Sequence, residues 1–215
     1  VFSPETARIN EFSVKNTDVS LTLENMADTD TTTTEPIYWK ILLDEIDFEN
    51  VGFALNMPQD SLFVRTMLPK TTLKDGVIDL KEASYYVKSF DMDNAELAYG
   101  PKEELSLKKI GLQLDSIYYC GRDIRANIEE FVFKERSGLE LVSTEGRIAS
   151  DSVLIQIPKF TMKTTASSLD LQTKIGWDVL EMKKTGVLSA KINAEIGKGD
   201  VAKILGGRDT LFLQT

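Results

Sequence analysis

Residues 105–119 carry apolar side chains at Leu105, Leu107, Ile110, Leu112, Leu114, Ile117 and Tyr119. This is alternation with a period of two, slipping once near Lys109 and once near Ser116. A helix would need apolar residues at i, i+3, i+4 and i+7, which the segment fits less well. The same alternation recurs at Val19-Leu21-Leu23, Trp39-Ile41-Leu43, Phe53-Leu55-Met57 and Leu62-Val64. It continues at Ile124-Ala126-Ile128, Phe131-Phe133, Leu139-Leu141, Val153-Ile155-Ile157 and Phe160-Met162. Leu169-Leu171-Thr173-Ile175 and Leu188-Ala190-Ile192-Ala194-Ile196 complete the set. Each run specifies a half-buried strand with one apolar and one polar face. The breaks at Met57-Pro58-Gln59-Asp60, Lys74-Asp75-Gly76, Tyr99-Gly100-Pro101, Cys120-Gly121-Arg122-Asp123 and Arg136-Ser137-Gly138 have turn composition. The pattern predicts an all-β chain of about fourteen strands joined mostly by hairpin-length turns.

Two segments depart from this pattern. Asn25–Pro36 is a low-complexity stretch with threonine at 31–34 and almost no apolar content, and it reads as a mobile loop. Gly199–Gly207 has Asp200 near its start and a glycine pair at its end, which predicts at most one short helix, near 200–206, with Asp200 as its N-cap.

Composition narrows the chemistry. The 215 residues include 25 Lys+Arg and 34 Asp+Glu, no histidine, and a single cysteine, Cys120. Absence of histidine excludes a His-based triad, an imidazole base and a His metal site. One thiol builds no disulfide within the chain. A net charge of −9 without a basic block argues against nucleic acid as a partner. An apolar fraction of 42% excludes the disordered class. A compact fold of this mass would bury roughly 70% of its unfolded surface. No run of 18 or more apolar residues and no signal sequence is visible, and both ends read as cuts in a longer protein.

A weak internal repeat emerges. Ile46, Phe48, Phe53 and Leu55 align with Ile110, Leu112, Ile117 and Tyr119. Phe90, Met92, Leu97 and Tyr99 align with Phe160, Met162, Leu169 and Leu171. This suggests units of about 38–100 and 105–176 within a single β-rich fragment, 1–215, of a larger repeat-containing array.

A run of motifs then points to a family. They are Ile46-Asp47-Phe48-Glu49-Asn50-Val51-Gly52-Phe53, Thr72–Leu80 (TLKDGVIDL), Tyr86–Met92 (YVKSFDM), Phe133–Leu141 (FKERSGLEL) and Lys163–Leu171 (KTTASSLDL). In order and spacing they resemble the AsmA/TamB-like proteins of Gram-negative envelopes, from about Phe12 to the end. The resemblance implies an elongated, curled antiparallel sheet forming an open groove or half-barrel. It implies a periplasmic protein held at the inner membrane by an anchor helix that is not seen in this sequence. It also implies a non-enzymatic role, without a cofactor, in outer-membrane biogenesis. The groove would shield phospholipid acyl chains during transport between membranes, and some members of the family are tied to assembly of outer-membrane β-barrel proteins.

The physics of a groove can be laid on the sequence. Each CH₂ kept from water is worth about 0.8 kcal/mol, so an acyl chain needs a continuous apolar trough. Its lining would come from Leu112, Leu114, Ile117, Tyr119, Ile124, Ile128, Phe131, Phe133, Leu139, Leu141, Val153, Ile155, Ile157, Phe160, Met162, Leu169 and Leu171. The same residues suit an ordinary core, and the same alternation serves a closed sandwich. Sequence leaves both geometries open.

Other constellations have plainer readings. Asp44, Glu45, Asp47 and Glu49 offer carboxylates of the kind a carbohydrate-active protein uses, yet Ile46 and Phe48 between them indicate the solvated face of a strand. Asp91, Asp93 and Asn94 carry oxygens suited to Ca²⁺ but lack the loop spacing of a calcium site. Lys102, Lys108 and Lys109 suit lipid headgroups, with Glu103 and Glu104 offsetting them. Cys120 has no activating base. Gly197-Lys198-Gly199-Asp200 lacks the spacing of a phosphate-binding loop. Tyr85, Tyr86, Tyr118, Tyr119, Trp39 and Trp177 suit sugar stacking, although strands are ordinarily rich in aromatics. Finally, Asp followed by Ser or Thr and an apolar residue or Thr occurs five times, at Thr31, Ser61, Ser116, Ser152 and Thr210. The triplet resembles an O-glycan acceptor of some Gram-negative envelope proteins, and it is also how a turn enters a strand.

Overall fold

The computed structural model describes residues 5–23, 38–58, 61–182 and 186–205. Strands fill 75% of it. They are β1 (Thr6–Thr22), β2 (Lys40–Met57), β3 (Leu62–Asp79), β4 (Ser84–Tyr99), β5 (Leu105–Cys120), β6 (Asp123–Glu135), β7 (Glu140–Ser150), β8 (Leu154–Thr164), β9 (Ser168–Gly176) and β10 (Leu188–Glu195). Two short helices, α1 (Trp177–Leu180) and α2 (Lys198–Ile204), flank β10. All ten strands join one sheet in sequence order, and the sheet curls without closing into a barrel. Eight neighbouring pairs are antiparallel, and β1 alone runs parallel to its neighbour β2.

The described residues hold ten strands, fewer than the roughly fourteen that the alternation implies. The physical reason is that several short runs merge into one strand across a bulge. In β2 the apolar positions read Ile41 and Leu43, then Ile46 and Phe48, then Val51, Phe53 and Leu55, changing parity twice without breaking the strand. The changes fall on two lines that cross the sheet. Asn16, Asn50 and Asn94 lie on one, with φ of 49°, 54° and 55°, and Pro69 of β3 sits between the last two. The line runs on to Lys109 (φ 53°), where the β4–β5 register shifts on both sides of Ala95. The second line passes through Asp44, Asp75, Lys88 and Ser116, with φ of 51° at Asp75 and 55° at Ser116. Asn and Asp tolerate the left-handed conformation because their short polar side chains bond locally. A bulge increases local twist and bends the strand, so stacked bulges curl the sheet. The Lys74-Asp75-Gly76 turn expected from composition therefore lies inside β3. The true turns include those at Gly100, Gly121 and Gly138, all with positive φ.

The helices differ from expectation in number and capping. The sequence predicts at most one short helix near 200–206; the described residues hold two. α1 holds one end of the sheet: the Trp177 indole donates to the Asp151 carbonyl at 2.7 Å, and Arg122 lies 5.3 Å from the Trp177 ring and pairs with Glu181. α2 holds the opposite end. Its N-cap is Gly197, with no side-chain cap, so Asp200 is its third residue and not the cap. Asp200 instead accepts from Ser167 Oγ in the β8–β9 turn at 2.6 Å and from Thr164 Oγ1 at the end of β8. A Cβ at Gly197 would overlap the Ala166 carbonyl, so glycine permits this close approach. Gly206 and Gly207, and the segment 25–36, lie outside the described residues.

Burial follows from the single layer. No large side chain is fully buried among the described residues. The exposed surface is 15134 Å². A compact protein of this mass exposes about 10,000 Å² and its unfolded chain about 35,000 Å². The chain as a whole thus buries roughly 57% of its unfolded surface, below the roughly 70% expected of a compact fold.

Candidate functional site: the apolar face of the sheet

Residues directly opposite each other in a sheet share a face. Following the register across the molecule traces one row, with one residue from each strand. It runs Phe12, Ile46, Leu73, Phe90, Leu114, Ile128, Gly146, Phe160, Leu171 and Ile192. Nine members are apolar side chains. The tenth, Gly146, is where the Phe160 ring lies over the backbone: a Cβ there would sit 2.7 Å from Phe160 Cδ2. A parallel row runs Val14, Phe48, Thr71, Met92, Leu112 and Phe131. Another runs Ala7, Ile41, Ile78, Tyr85, Tyr119 and Ile124, and there the Tyr85 and Tyr119 rings lie 6.0 Å apart.

Exposure varies along the first row. Phe12 at one edge is 49% exposed and Ile192 at the other 63%, while the members on β2 to β9 are half-buried. The sheet is open and curled, and this row is more sheltered in its middle than at its two edge strands. The same face contains small residues, among them Thr71, Gly76, Thr144 and Gly146. The Thr71 and Thr144 hydroxyls are buried there without a hydrogen-bond partner.

The opposite face is charged. Between the apolar rows lie rows such as Glu11, Glu45, Lys74, Ser89, Asp115 and Asn127. Ion pairs tie neighbouring strands: Lys15 to Glu49 at 2.7 Å, Lys74 to Glu45 at 3.1 Å, and Lys88 to Asp75 at 3.0 Å. The hydrogen bonds from Lys15 to Glu49 and from Lys88 to Asp75 raise the pKa of both lysines. Exposed pairs of this kind contribute little stability each. Their arrangement keeps this face in water.

Of the predicted lining residues, Leu112, Leu114, Ile117, Tyr119, Ile124, Ile128, Phe131, Phe133, Leu141, Ile155, Ile157, Phe160, Met162, Leu169 and Leu171 lie in strands. Leu139 and Val153 lie in turns, and Val153 is 64% exposed. Sequence reasoning left out the β1–β4 half of the face, namely Phe12, Ile46, Leu73 and Phe90. The signal for it was the same alternation, read through the parity changes. The unit 38–100 holds three strands and the unit 105–176 holds five. Phe90, Met92, Leu97 and Tyr99 share β4, whereas Phe160 and Met162 lie on β8 and Leu169 and Leu171 on β9.

The remaining candidates disperse. Asp47 accepts from Thr72 at 2.6 Å and Glu49 is held by Lys15, both on the charged face. Asp91 and Asp93 are exposed there, and no group of three or more His, Cys, Asp or Glu among the described residues is arranged for a metal ion. Lys108 and Lys109 border a cavity of about 500 Å³ with Lys134, Arg136, Glu96, Glu103 and Glu135, while Lys102 lies in the adjacent β4–β5 turn. Cys120 Sγ lies 3.6 Å from the Glu82 carbonyl. The six aromatics do not converge: Tyr85 and Tyr119 lie on the apolar face, and Tyr118 lies under Arg125 with Tyr86 opposite it in the register. Trp39 is 40% exposed just before β2, and Trp177 stacks at one end. Ser61 and Ser152 are exposed in turns, Ser116 sits in a bulge, and Thr31 and Thr210 lie outside the described residues. Among the described residues no helix is long and apolar enough to cross a membrane. No family model, no curated protein and no solved structure matches the chain.

Proposed function

We propose that this chain is part of an AsmA/TamB-like periplasmic protein, anchored at the inner membrane, whose trough shields phospholipid acyl chains on their way between the two membranes. The observation that carries the reading is the apolar row crossing all ten strands, with a charged face behind it. Each CH₂ laid on that row gains about 0.8 kcal/mol over water. The role asks for shape and apolarity, and for no titrating side chain, cofactor or metal. Purification from an envelope fraction, followed by mass spectrometry of the extracted lipid, tests it. Phospholipid should accompany the protein, and Phe90→Asp with Leu114→Asp should remove it. Equal lipid on the wild type and the double variant sinks the reading.

One observation favours a second role. Among the described residues β10 is the last strand of the sheet, and all its residues are exposed. Such an edge accepts a further strand, as an assembly factor for outer-membrane β-barrel proteins would use it. Photocrosslinking from Lys191 separates the two: protein adducts support assembly, and lipid adducts support transport.

A further inference from the structure

We propose that β1 is an exchangeable strand, and that in solution the outer edge of β2 takes β1 from a second copy of this chain. The inference starts from the one parallel pair in an otherwise antiparallel sheet. Thr22, at the end of β1, lies beside Asn56; Lys40, which opens β2, lies beside Thr6. The two ends that the connection joins therefore lie a whole strand length apart. Sixteen strand steps separate Asn56 from Lys40, about 50 Å at 3.3 Å per residue. The chain from Thr22 to Lys40 is eighteen steps long and reaches at most about 59–65 Å when fully extended. A relaxed chain of that length spans only about 25 Å. Pairing β1 with its own β2 therefore sets the ends of the connection at a separation close to the longest that eighteen steps can bridge.

The strand-to-strand match itself is complete. Fifteen residues pair in one register. The Asn16 and Asn50 side chains hydrogen bond at 3.2 Å across the bulge line, Arg8 pairs with Asp44 at 3.1 Å, and Lys15 pairs with Glu49. Among the described residues β1 is an edge strand hydrogen-bonded to β2 alone, so the pairing of β2 to β10 does not depend on it. A β1 supplied by a second copy makes the same contacts while its connection leads to the β2 of the other sheet, so the span is no longer fixed by the length of one strand. Exchange preserves the recognition and relieves the tether.

Light scattering on the unmodified chain is the first test. The expected mass is twice the 24.1 kDa of one chain, and a monomer at every concentration overturns the proposal. The second test identifies the strand. Two chains are co-expressed in a Cys120→Ser background, one with Lys15→Cys and the other with Glu49→Cys. These two positions face each other in the register, within disulfide reach. Oxidation should give a mixed disulfide dimer, and its absence overturns the exchange. A third variant lengthens residues 28–34 by about twelve glycines and serines, enough to slacken the connection. Its dimer fraction should fall by roughly tenfold as the internal pairing becomes accessible. An unchanged fraction overturns the tether as the cause.

Discussion

Asp200 is 2% exposed, and the hydrogen bonds to its carboxylate decide how α2 sits on the sheet. Ser167, then Thr164, hold its pKa below the ordinary carboxylate value, with Lys203 assisting at 3.7 Å against the opposing effect of burial. A carboxyl whose folded pKa is depressed contributes stability above its unfolded pKa. It loses that contribution as pH falls through the folded value. The docking of α2 should therefore hold at neutral pH and loosen below about pH 4. Hydrogen exchange at the amides of Val201 to Ile204, normalised to intrinsic rates, reads this directly. Asp200→Asn should weaken protection at pH 7 and flatten its dependence on acid. A variant that keeps the wild-type acid response would assign that response to another group. Asp151 has a similarly lowered pKa, because the Leu154 and Val153 amides donate to it, and it fixes the β7–β8 turn on which Trp177 rests.

Bulges, more than strands, set the shape of this fold. Left-handed backbone costs an ordinary L-residue about 1–2 kcal/mol, less for Asn and nothing for Gly. Asn94→Val should destabilise the sheet by about that amount, and Asn94→Gly should leave it within about 0.5 kcal/mol, both read from urea unfolding midpoints. Lys109→Gly is expected to raise stability, since lysine gains nothing from its φ of 53°. If Asn94→Val and Asn94→Gly shift the midpoint equally, the bulge is not the source of the cost. The slips near Lys109 and Ser116 were visible in the alternation, so half of this device was legible. Their meaning was not, because a parity change looks identical whether a strand ends or bulges. That ambiguity inflated the strand count and turned Asp75 into a turn. The parallel β1 was illegible for a different reason: period two reports which face a residue takes and carries no strand direction. The apolar side of the site was legible residue by residue. Its continuity across ten strands needed the register.

At the scale of the whole molecule, two facts have to be reconciled. A single-layer sheet leaves its apolar rows half-exposed, and soluble monomers rarely tolerate a contiguous apolar patch beyond a few hundred Å². The middle of the central row is half-buried, while Phe12 and Ile192 at its two ends stand in water. A face of this kind is stabilised by whatever covers it, and the two faces differ so sharply in polarity that the covering group must choose between them. A single reporter tryptophan makes that choice measurable. With Trp39→Phe and Trp177→Phe as background, Phe90→Trp places the reporter in the central apolar row. Thr72→Trp places it on the charged face, where its register partners are Asp47 and Asp91. Phospholipid with brominated acyl chains should quench the Phe90→Trp reporter and leave the Thr72→Trp reporter unaffected. Lengthening the acyl chain by two CH₂ groups should tighten binding by up to about 1.6 kcal/mol, close to fifteenfold, for as long as the added carbons still lie on the trough. Equal quenching from both faces, or an affinity independent of chain length, would mean that the trough is not where lipid binds.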